Sequence, residues 1–258
     1  MLPYPEIKPY LIKVGPLQIR WYGLMYLIGF ASSYLLVNYQ IRRKGIGIER
    51  RTVDDLYFYI ILGLILGARL GYVFFYNLPE YLENPLEVFA VWHGGMSFHG
   101  GLIGSVFAGV CFCRKRGLDS WMMADLVIAT APIGLGLGRI GNFINCELYG
   151  RVSDVPWAVV FPCGGGLPRH PSQLYEAFFE GVVLFALLWY LKDRVRVAGG
   201  LTALFLVLYG VIRFSIEFFR EPDPQLGFVV AFLTMGQILS LAMVAVGIAV
   251  FAYRRTKV

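Results

Sequence analysis

The stretch ADLVIATAPIGLGLGRIGNFINCELYG, residues 124–150, decides how this chain must be read. Its first half, Ala124 to Leu137, is an apolar run of the kind that enters a bilayer. It leads into Gly138-Arg139-Ile140-Gly141-Asn142-Phe143-Ile144-Asn145-Cys146-Glu147-Leu148-Tyr149-Gly150, which puts a guanidinium where lipid would surround it. An arginine at membrane depth is expensive, needs a named partner, and marks a functional site by default. On a helix, Arg139, Asn142 and Asn145 fall three apart and share a face, a fixed cation and two amides suited to an anion. A plainer reading stays open, in which the guanidinium snorkels to an interface or bonds a helix carbonyl.

The whole chain agrees with a membrane setting. Its 258 residues are 57% hydrophobic and only 16% charged, where a soluble domain carries about 25% charged residues. The composition therefore predicts an all-α integral membrane protein, a single polytopic membrane domain over residues 1–258. Seven apolar runs are long enough for spans: Ile19–Val37, Leu56–Tyr76, Met96–Cys113, Met122–Asn142, Leu174–Leu191, Leu201–Phe218 and Ala231–Tyr253. The fourth contains Pro132, Gly134, Gly136, Gly138 and Gly141, so a broken or re-entrant segment is expected there. The N-terminus, Met1 to Ile12, lacks the apolar core of a cleaved signal peptide, so the first span is expected to stay.

Charge alternates between the connections. Arg42, Arg43, Lys44, Arg50 and Arg51 follow the first span, Arg114, Lys115 and Arg116 the third, and Lys192, Arg194 and Arg196 the fifth. Arg254, Arg255 and Lys257 form the tail, whereas Asn77 to Gly95 carries Glu80, Glu83 and Glu87 and no lysine or arginine. The positive-inside rule then places the N-terminus outside and the C-terminus in the cytoplasm, with a small periplasmic or extracellular loop region. The net charge of +6 is spent on topology, and no nucleic-acid partner is expected. Glycines four apart (Gly63, Gly67 and Gly71; Gly100 and Gly104; Gly134 and Gly138) predict close helix packing. Cys111, Cys113, Cys146 and Cys163 fit neither a disulfide framework nor a zinc site and read as small apolar fillers.

Three further polar groups sit inside apolar runs. Arg69 lies in the second and Arg213 in the sixth, where Tyr209, Arg213, Glu217 and Arg220 share one helical face. Arg213 and Glu217 can neutralise each other, which leaves Arg139 needing a different anion. Arginine keeps its charge when desolvated and grips phosphate bidentately, so a lipid phosphate is the natural ligand. His99, in His93-Gly94-Gly95-Met96-Ser97-Phe98-His99-Gly100-Gly101, is either a proton carrier or a packed side chain bonded to a carbonyl. His170 heads the fifth span, where Gln173, Glu176 and Glu180 form another inward polar stripe. Gly136-Leu137-Gly138-Arg139-Ile140-Gly141 matches a dinucleotide pattern by letter but follows no strand, so no nucleotide cofactor is expected. No metal is predicted, and no span carries the lysine a retinal protein needs.

At these residues the chain resembles the bacterial prolipoprotein diacylglyceryl transferases. The resemblance covers nearly the whole length through Arg20 to Tyr26, Gly94 to Gly101, Gly138 to Gly150, Arg169 to Glu176, and Arg213 to Asp223. It implies transfer of the diacylglyceryl group of phosphatidylglycerol to the lipobox cysteine of a prolipoprotein signal peptide. The setting it implies is the lipid bilayer of the bacterial cytoplasmic (inner) membrane. It further implies that Arg139 and Arg213 hold the lipid phosphate, and that His99, Tyr22, Asn142, Glu147, Gly150, Tyr209 and Glu217 serve activity or substrate binding. Only Val152 to Leu167 precedes the Arg-His-Pro-Ser-Gln motif, where some members carry a longer insertion. Two other classes stay open on the residues alone. An anion or lipid transporter would use the same arginines without a covalent product, and an intramembrane protease would need a motif that Gly95-Met96-Ser97 does not complete.

Overall fold

A computed structural model describes residues 1–14, 17–222, 227–230 and 232–256. Each expected apolar run contains helix in it, although Ile19 and Arg20 of the first and Leu233 and Thr234 of the seventh lie in short strands. The helices are α1 (Trp21–Arg43), α2 (Arg50–Tyr76), α3 (Leu78–Glu83), α4 (Phe98–Lys115), α5 (Ser120–Ile128) and α6 (Ala131–Ile144). Then come α7 (Ser172–Glu176), a π-helical turn (Ala177–Val183) and α8 (Leu184–Leu191), continuous with one another, followed by α9 (Gly200–Ile216) and α10 (Met235–Arg255). The seventh expected run opens at Ala231, which lies outside the described residues, as do Asp223 and Lys257. Four helices, α1, α2, Ser172–Leu191 and α10, are long and apolar enough to cross a membrane, and α5 with α6 makes a fifth as a bent pair. α9 is apolar but shorter at 17 residues. α1, α4 and α10 all end on basic pairs, which complement the negative helix C-terminus.

The fourth run does break. α5 and α6 meet at 44°, and the break falls just before Pro132, in the first turn of α6, the one part of a helix where a missing N–H costs nothing. Thr130 covers the opening, donating its hydroxyl to Val127 O at 2.7 Å while lying 2.6 Å from Ser33 Oγ.

The chain divides into two compact units, residues 38–123 and the remainder. In the unit of residues 38–123, α2 and α4 pack backbone to backbone. A Cβ on Gly67 would strike Gly100 O, and Cβ atoms on Gly63 and Gly71 would strike α4 at Gly104 and Gly100. Arg69, 4% exposed, sits at the end of this seam. Its guanidinium donates to Val88 O (2.8 Å), Gly94 O (2.6 Å), Gly95 O (3.1 Å), Ala90 O (3.2 Å) and Glu87 O. Gly94 and Gly95 take positive φ to present those carbonyls, and a Cβ on Gly95 would meet Arg69 itself. The third intramembrane arginine is thus a clasp on a loop.

In the other unit, the expectation of helices and plain loops needs correcting. Short strands of two to five residues tie the loops: β1 (Leu2–Pro3), β2 (Tyr10–Val14), β3 (Leu17–Arg20), β4 (Val159–Val160), β5 (Pro168–Arg169), β6 (Phe228–Val230) and β7 (Leu233–Thr234). β1 pairs parallel with β4, β4 antiparallel with β5, and Gly150 bridges Arg220. The five strands of two or three residues leave no alternation to read. Among the described residues, Ala129, Leu184, Leu188, Leu201 and Phe205 form one apolar core cluster. Asp125 of α5 caps α9 from outside, accepting from Gly199 N at 2.7 Å and from Thr202 N at 2.8 Å. The polarity of burial is inverted relative to a soluble protein. Phe178 and Val182 are 53% and 60% exposed, whereas Glu176 and Glu180 on the same helix are fully buried. Gly134 packs against Gly29 as expected of a small residue, but Gly138 faces open space.

Candidate functional site

The centre of the larger unit is a buried cluster of guanidiniums and carboxylates. α6 supplies Arg139, the Ser172–Leu191 helix supplies Glu176 and Glu180, and α9 supplies Tyr209 and Arg213, with Glu217 at its C-cap. Arg139 Nε lies 2.9 Å from Glu176 Oε2 and 3.5 Å from Glu180 Oε2. Arg213 pairs with Glu176 Oε1, lies 3.7 Å from Glu180 Oε1, and reaches Glu217 Oε2 at 2.8 Å. Tyr209 lies within the electrostatic reach of both arginines and of both acids on the π-containing helix. Glu217 accepts from Thr234 Oγ1 at 3.0 Å and lies against Gly236, where a Cβ would meet its carboxylate. It therefore links Arg213 to the N-terminal turn of α10, where negative charge is favoured.

The geometry corrects one step of the sequence argument. Arg139 does not lack an internal anion. Glu176 and Glu180 meet it, and Arg213 carries its i,i+4 partner as well. Sequence reasoning had these acids on an inward stripe but did not connect them to the arginines. The signal was there: two carboxylates four apart in an otherwise uncharged apolar run need the same explanation as a buried arginine. The turn that aligns them is π-helical, and one Gly–Gly contact sets it against α6, since a Cβ on Gly136 would stand 2.9 Å from Gly181 Cα.

The stretch after Arg139 folds into a strained turn beside this cluster. α6 ends at Ile144, Asn145 is its C-cap, and Cys146 (φ 60°) and Leu148 (φ 56°) both adopt left-handed backbone. Non-glycine residues there cost about 1–3 kcal/mol each and persist only when neighbours fix them. The fixing groups are specific. Gln173 Nε2 donates to Glu147 O at 2.6 Å, Ser172 Oγ to Leu148 O at 3.0 Å, and Asn142 Nδ2 to Glu147 Oε2 at 3.3 Å. Asn142 thus points its amide at Glu147 and leaves Arg139 to the acids. Gly150 closes the turn, donating to His170 O at 2.8 Å, with no room for a Cβ between Phe219 O and His170. Tyr22 packs its ring on Gly141, and its hydroxyl lies 3.2 Å from that of Tyr26.

Two further expectations change. Cys146 and Cys163 form a disulfide across this turn, so they are not fillers. Nothing in their spacing announces it, because their approach depends on the left-handed turn and on the loop that returns to β5. Cys111 and Cys113 are free, the first exposed and the second buried. Arg220 leaves the helical face predicted for it. α9 ends at Ile216, and Arg220 is extended opposite Gly150, two residues before Pro222. Burial and the neighbouring Arg213 lower its proton affinity, though a guanidinium keeps its charge. Burial likewise lowers that of His170, whose Nδ1 lies 3.1 Å from Tyr175 Oη. His99 belongs to the other unit, exposed on the first turn of α4 with its ring against Phe98.

The larger unit therefore brings together Arg139, Arg213, Tyr209 and Glu217 in one cluster, and Tyr22, Asn142, Glu147 and Gly150 around the adjoining turn. Two guanidiniums here face three carboxylates, beside the turn that follows α6. Comparison with known proteins identifies the family. The family profile described as prolipoprotein diacylglyceryl transferase matches residues 9–253. A phosphatidylglycerol–prolipoprotein diacylglyceryl transferase of Desulfotalea psychrophila is 54% identical over 97% of this chain and 94% of its own length. Those of Geobacter sulfurreducens and Pseudomonas paraeruginosa are each 52% identical, over 98% and 99% of this chain and 98% and 97% of their own lengths. This chain belongs to the prolipoprotein diacylglyceryl transferase family.

Proposed function

We propose that this protein transfers the diacylglyceryl group of phosphatidylglycerol to the lipobox cysteine of prolipoprotein signal peptides, the first step of lipoprotein maturation. The observation that carries the reading is the buried Arg139–Arg213 pair in a chain of this family. The acceptor thiol loses its proton, and its sulfur forms a bond to the glyceryl carbon. The carbon–oxygen bond to phosphate breaks, and glycerol phosphate leaves with the electron pair. Arg139 and Arg213 stabilise the charge that gathers on the departing phosphate, an effect of order 2.7–4 kcal/mol per preorganised donor. Glu217 orients Arg213, Tyr209 borders the phosphate, and the Asn142–Glu147 pair and Gly150 hold the turn that shapes the headgroup's surroundings, with Tyr22 against Gly141. A cysteine thiol has a pKa near 8.5, so a base helps form the thiolate at neutral pH. His99 is the base in this reading, with Nε2 or Nδ1 taking the proton.

The site works from the outer face of a bacterial inner membrane, crossed seven times with the N-terminus outside. Three observations support that topology. β1 joins β4 and Gly150 joins Arg220, so the N-terminal segment and the connections after α6 and α9 keep company on one side. The Cys146–Cys163 disulfide lies there too, as suits an oxidising compartment. In the same unit α10 runs from Thr234, beside Glu217, to the basic pair Arg254 and Arg255, where Arg254 Nε donates to Ala198 O at 2.7 Å, and the positive-inside rule assigns that basic end to the cytoplasm.

Purified protein, phosphatidylglycerol and a synthetic lipobox peptide test the activity by mass spectrometry. The peptide gains a diacylglyceryl mass, and the gain vanishes when its cysteine is serine. An unmodified peptide in an intact, lipid-binding preparation overturns the reading. Near-normal turnover of His99→Gln between about pH 6 and 9 would remove His99 as the base and leave the thiolate to the arginines alone.

A further inference from the structure

The arginine cluster is charge-balanced before any lipid enters it. Arg139, Arg213 and Arg220 face Glu176, Glu180 and Glu217. A phosphodiester arriving at Arg139 and Arg213 adds a fourth negative charge to a site that water hardly reaches. An uncompensated buried charge costs several kcal/mol, and the cheapest relief is protonation of the carboxylate that loses least by it.

The three acids are not held alike. Glu176 has both guanidiniums close, with Arg139 at 2.9 Å. Glu217 has Arg213 at 2.8 Å and the Thr234 hydroxyl at 3.0 Å. Glu180 is fully buried and its nearest cations stand at 3.5 and 3.7 Å. Neither of its oxygens accepts a well-formed hydrogen bond. The groups that face it are Arg139 from α6, Arg213 and Tyr209 from α9, and Glu176 from its own helix. It also rides on the π-helical turn, a departure from regular helix that often marks functional sites.

We propose that Glu180 is the exchangeable anion of the cluster: it faces Arg139 and Arg213 while no phosphate is present, and gives them up by taking a proton from water when the lipid phosphodiester binds. Glu180 is then a positioning residue that acts through the two arginines. It keeps them paired and correctly aimed between turnovers, and its neutralisation leaves their donors to the substrate. The proposal rests on the reading of the arginine pair as the phosphate site.

Calorimetric titration of the detergent-solubilised full chain with dihexanoyl phosphatidylglycerol, in buffers of different ionisation enthalpy, counts the protons. Wild type takes up about one proton per lipid near pH 7, and its affinity falls about tenfold per pH unit above the midpoint of that uptake. Glu180→Gln binds lipid with no uptake and a flat pH dependence, whereas Glu176→Gln retains the uptake. Glu180→Asp keeps the uptake but shifts its midpoint, which guards against a glutamine variant that fails to fold. Uptake that survives in Glu180→Gln, an unmoved midpoint in Glu180→Asp, or lipid binding through Arg139 with no proton at all overturns the exchange alone. Absent binding in wild type, or undiminished binding by Arg139→Gln, overturns the phosphate site itself and the exchange with it.

Discussion

Arg69 and the Arg139–Arg213 pair face the same physical problem and solve it differently. Arg69 is buried against neutral backbone carbonyls of residues 87–95 and stacks over Tyr81 at 5.2 Å. Those partners are fixed by the chain itself, and two glycines with positive φ exist to present them. Arg139 and Arg213 instead face carboxylates, one of them held loosely. Carbonyls satisfy a guanidinium's hydrogen bonds without cancelling its charge, and they cannot be exchanged for another ligand. Carboxylates cancel the charge, and another anion can compete with them for the guanidinium. An intramembrane arginine is therefore a sign of function only once its partners are known, and the chemistry of the partner distinguishes a clasp from a site.

The comparison breaks first at Arg139. Arg139→Gln should lower diacylglyceryl transfer about 100- to 1000-fold, the usual cost of removing one preorganised donor. The same change leaves Glu176 and Glu180 short of a partner, so the thermal midpoint in detergent should fall as well. Arg69→Gln should show the opposite division. Leaving several buried carbonyls unsatisfied costs about 1–3 kcal/mol, seen as a lower midpoint and poorer accumulation. Turnover per folded molecule should stay within roughly twofold of wild type, because no transition-state contact is lost. A kcat defect in Arg69→Gln as deep as that of Arg139→Gln would erase the distinction.

A smaller effect probes the scaffold beneath Arg69. Gly67→Ala places a Cβ against Gly100 O and should destabilise by about 1–3 kcal/mol, as overpacking does. Gly109→Ala, on the facing helix, meets only Ile60 at 3.6 Å and should be neutral or slightly stabilising, since alanine is the better helix former. Equal midpoints for the two variants would show that close backbone contact at Gly67 does not limit stability.

Much of this was legible in the sequence because a bilayer allows so few solutions. Apolar length located the helices, Pro132 located the break, and glycines four apart located the seam of α2 and α4. The expense of charge in lipid singled out Arg69, Arg139 and Arg213. What the sequence withheld was pairing. Which acid meets which arginine depends on the π-helical turn and on Gly136 meeting Gly181, and neither leaves a periodic trace. The same limit hid Asp125, which caps a helix 74 residues away, and the Cys146–Cys163 bond, which needs a left-handed Cys146. Most of the short strands were hidden for a simpler reason, since two or three residues have no period.

The smallest expected effect concerns His170, which packs at the edge of the arginine unit against Tyr175 and Phe219. Desolvation holds its folded-state pKa below the ordinary value of 6.5. The neutral ring is the form the fold prefers, so His170 adds no penalty above about pH 6.5. As the pH falls through that value the unfolded chain gains a proton that the folded chain accepts only later, and stability declines until the folded pKa is passed. Thermal midpoints between about pH 5 and 8 should therefore decline more on the acid side for wild type than for His170→Gln. Glu180 is also buried in this unit, and proton exchange there is set by lipid rather than by folding alone. Adding dihexanoyl phosphatidylglycerol should change the pH dependence contributed by Glu180 and leave the His170 contribution in place. If lipid removes both, the two titrations are coupled, and the loop that carries His170 is part of the phosphate site rather than its frame.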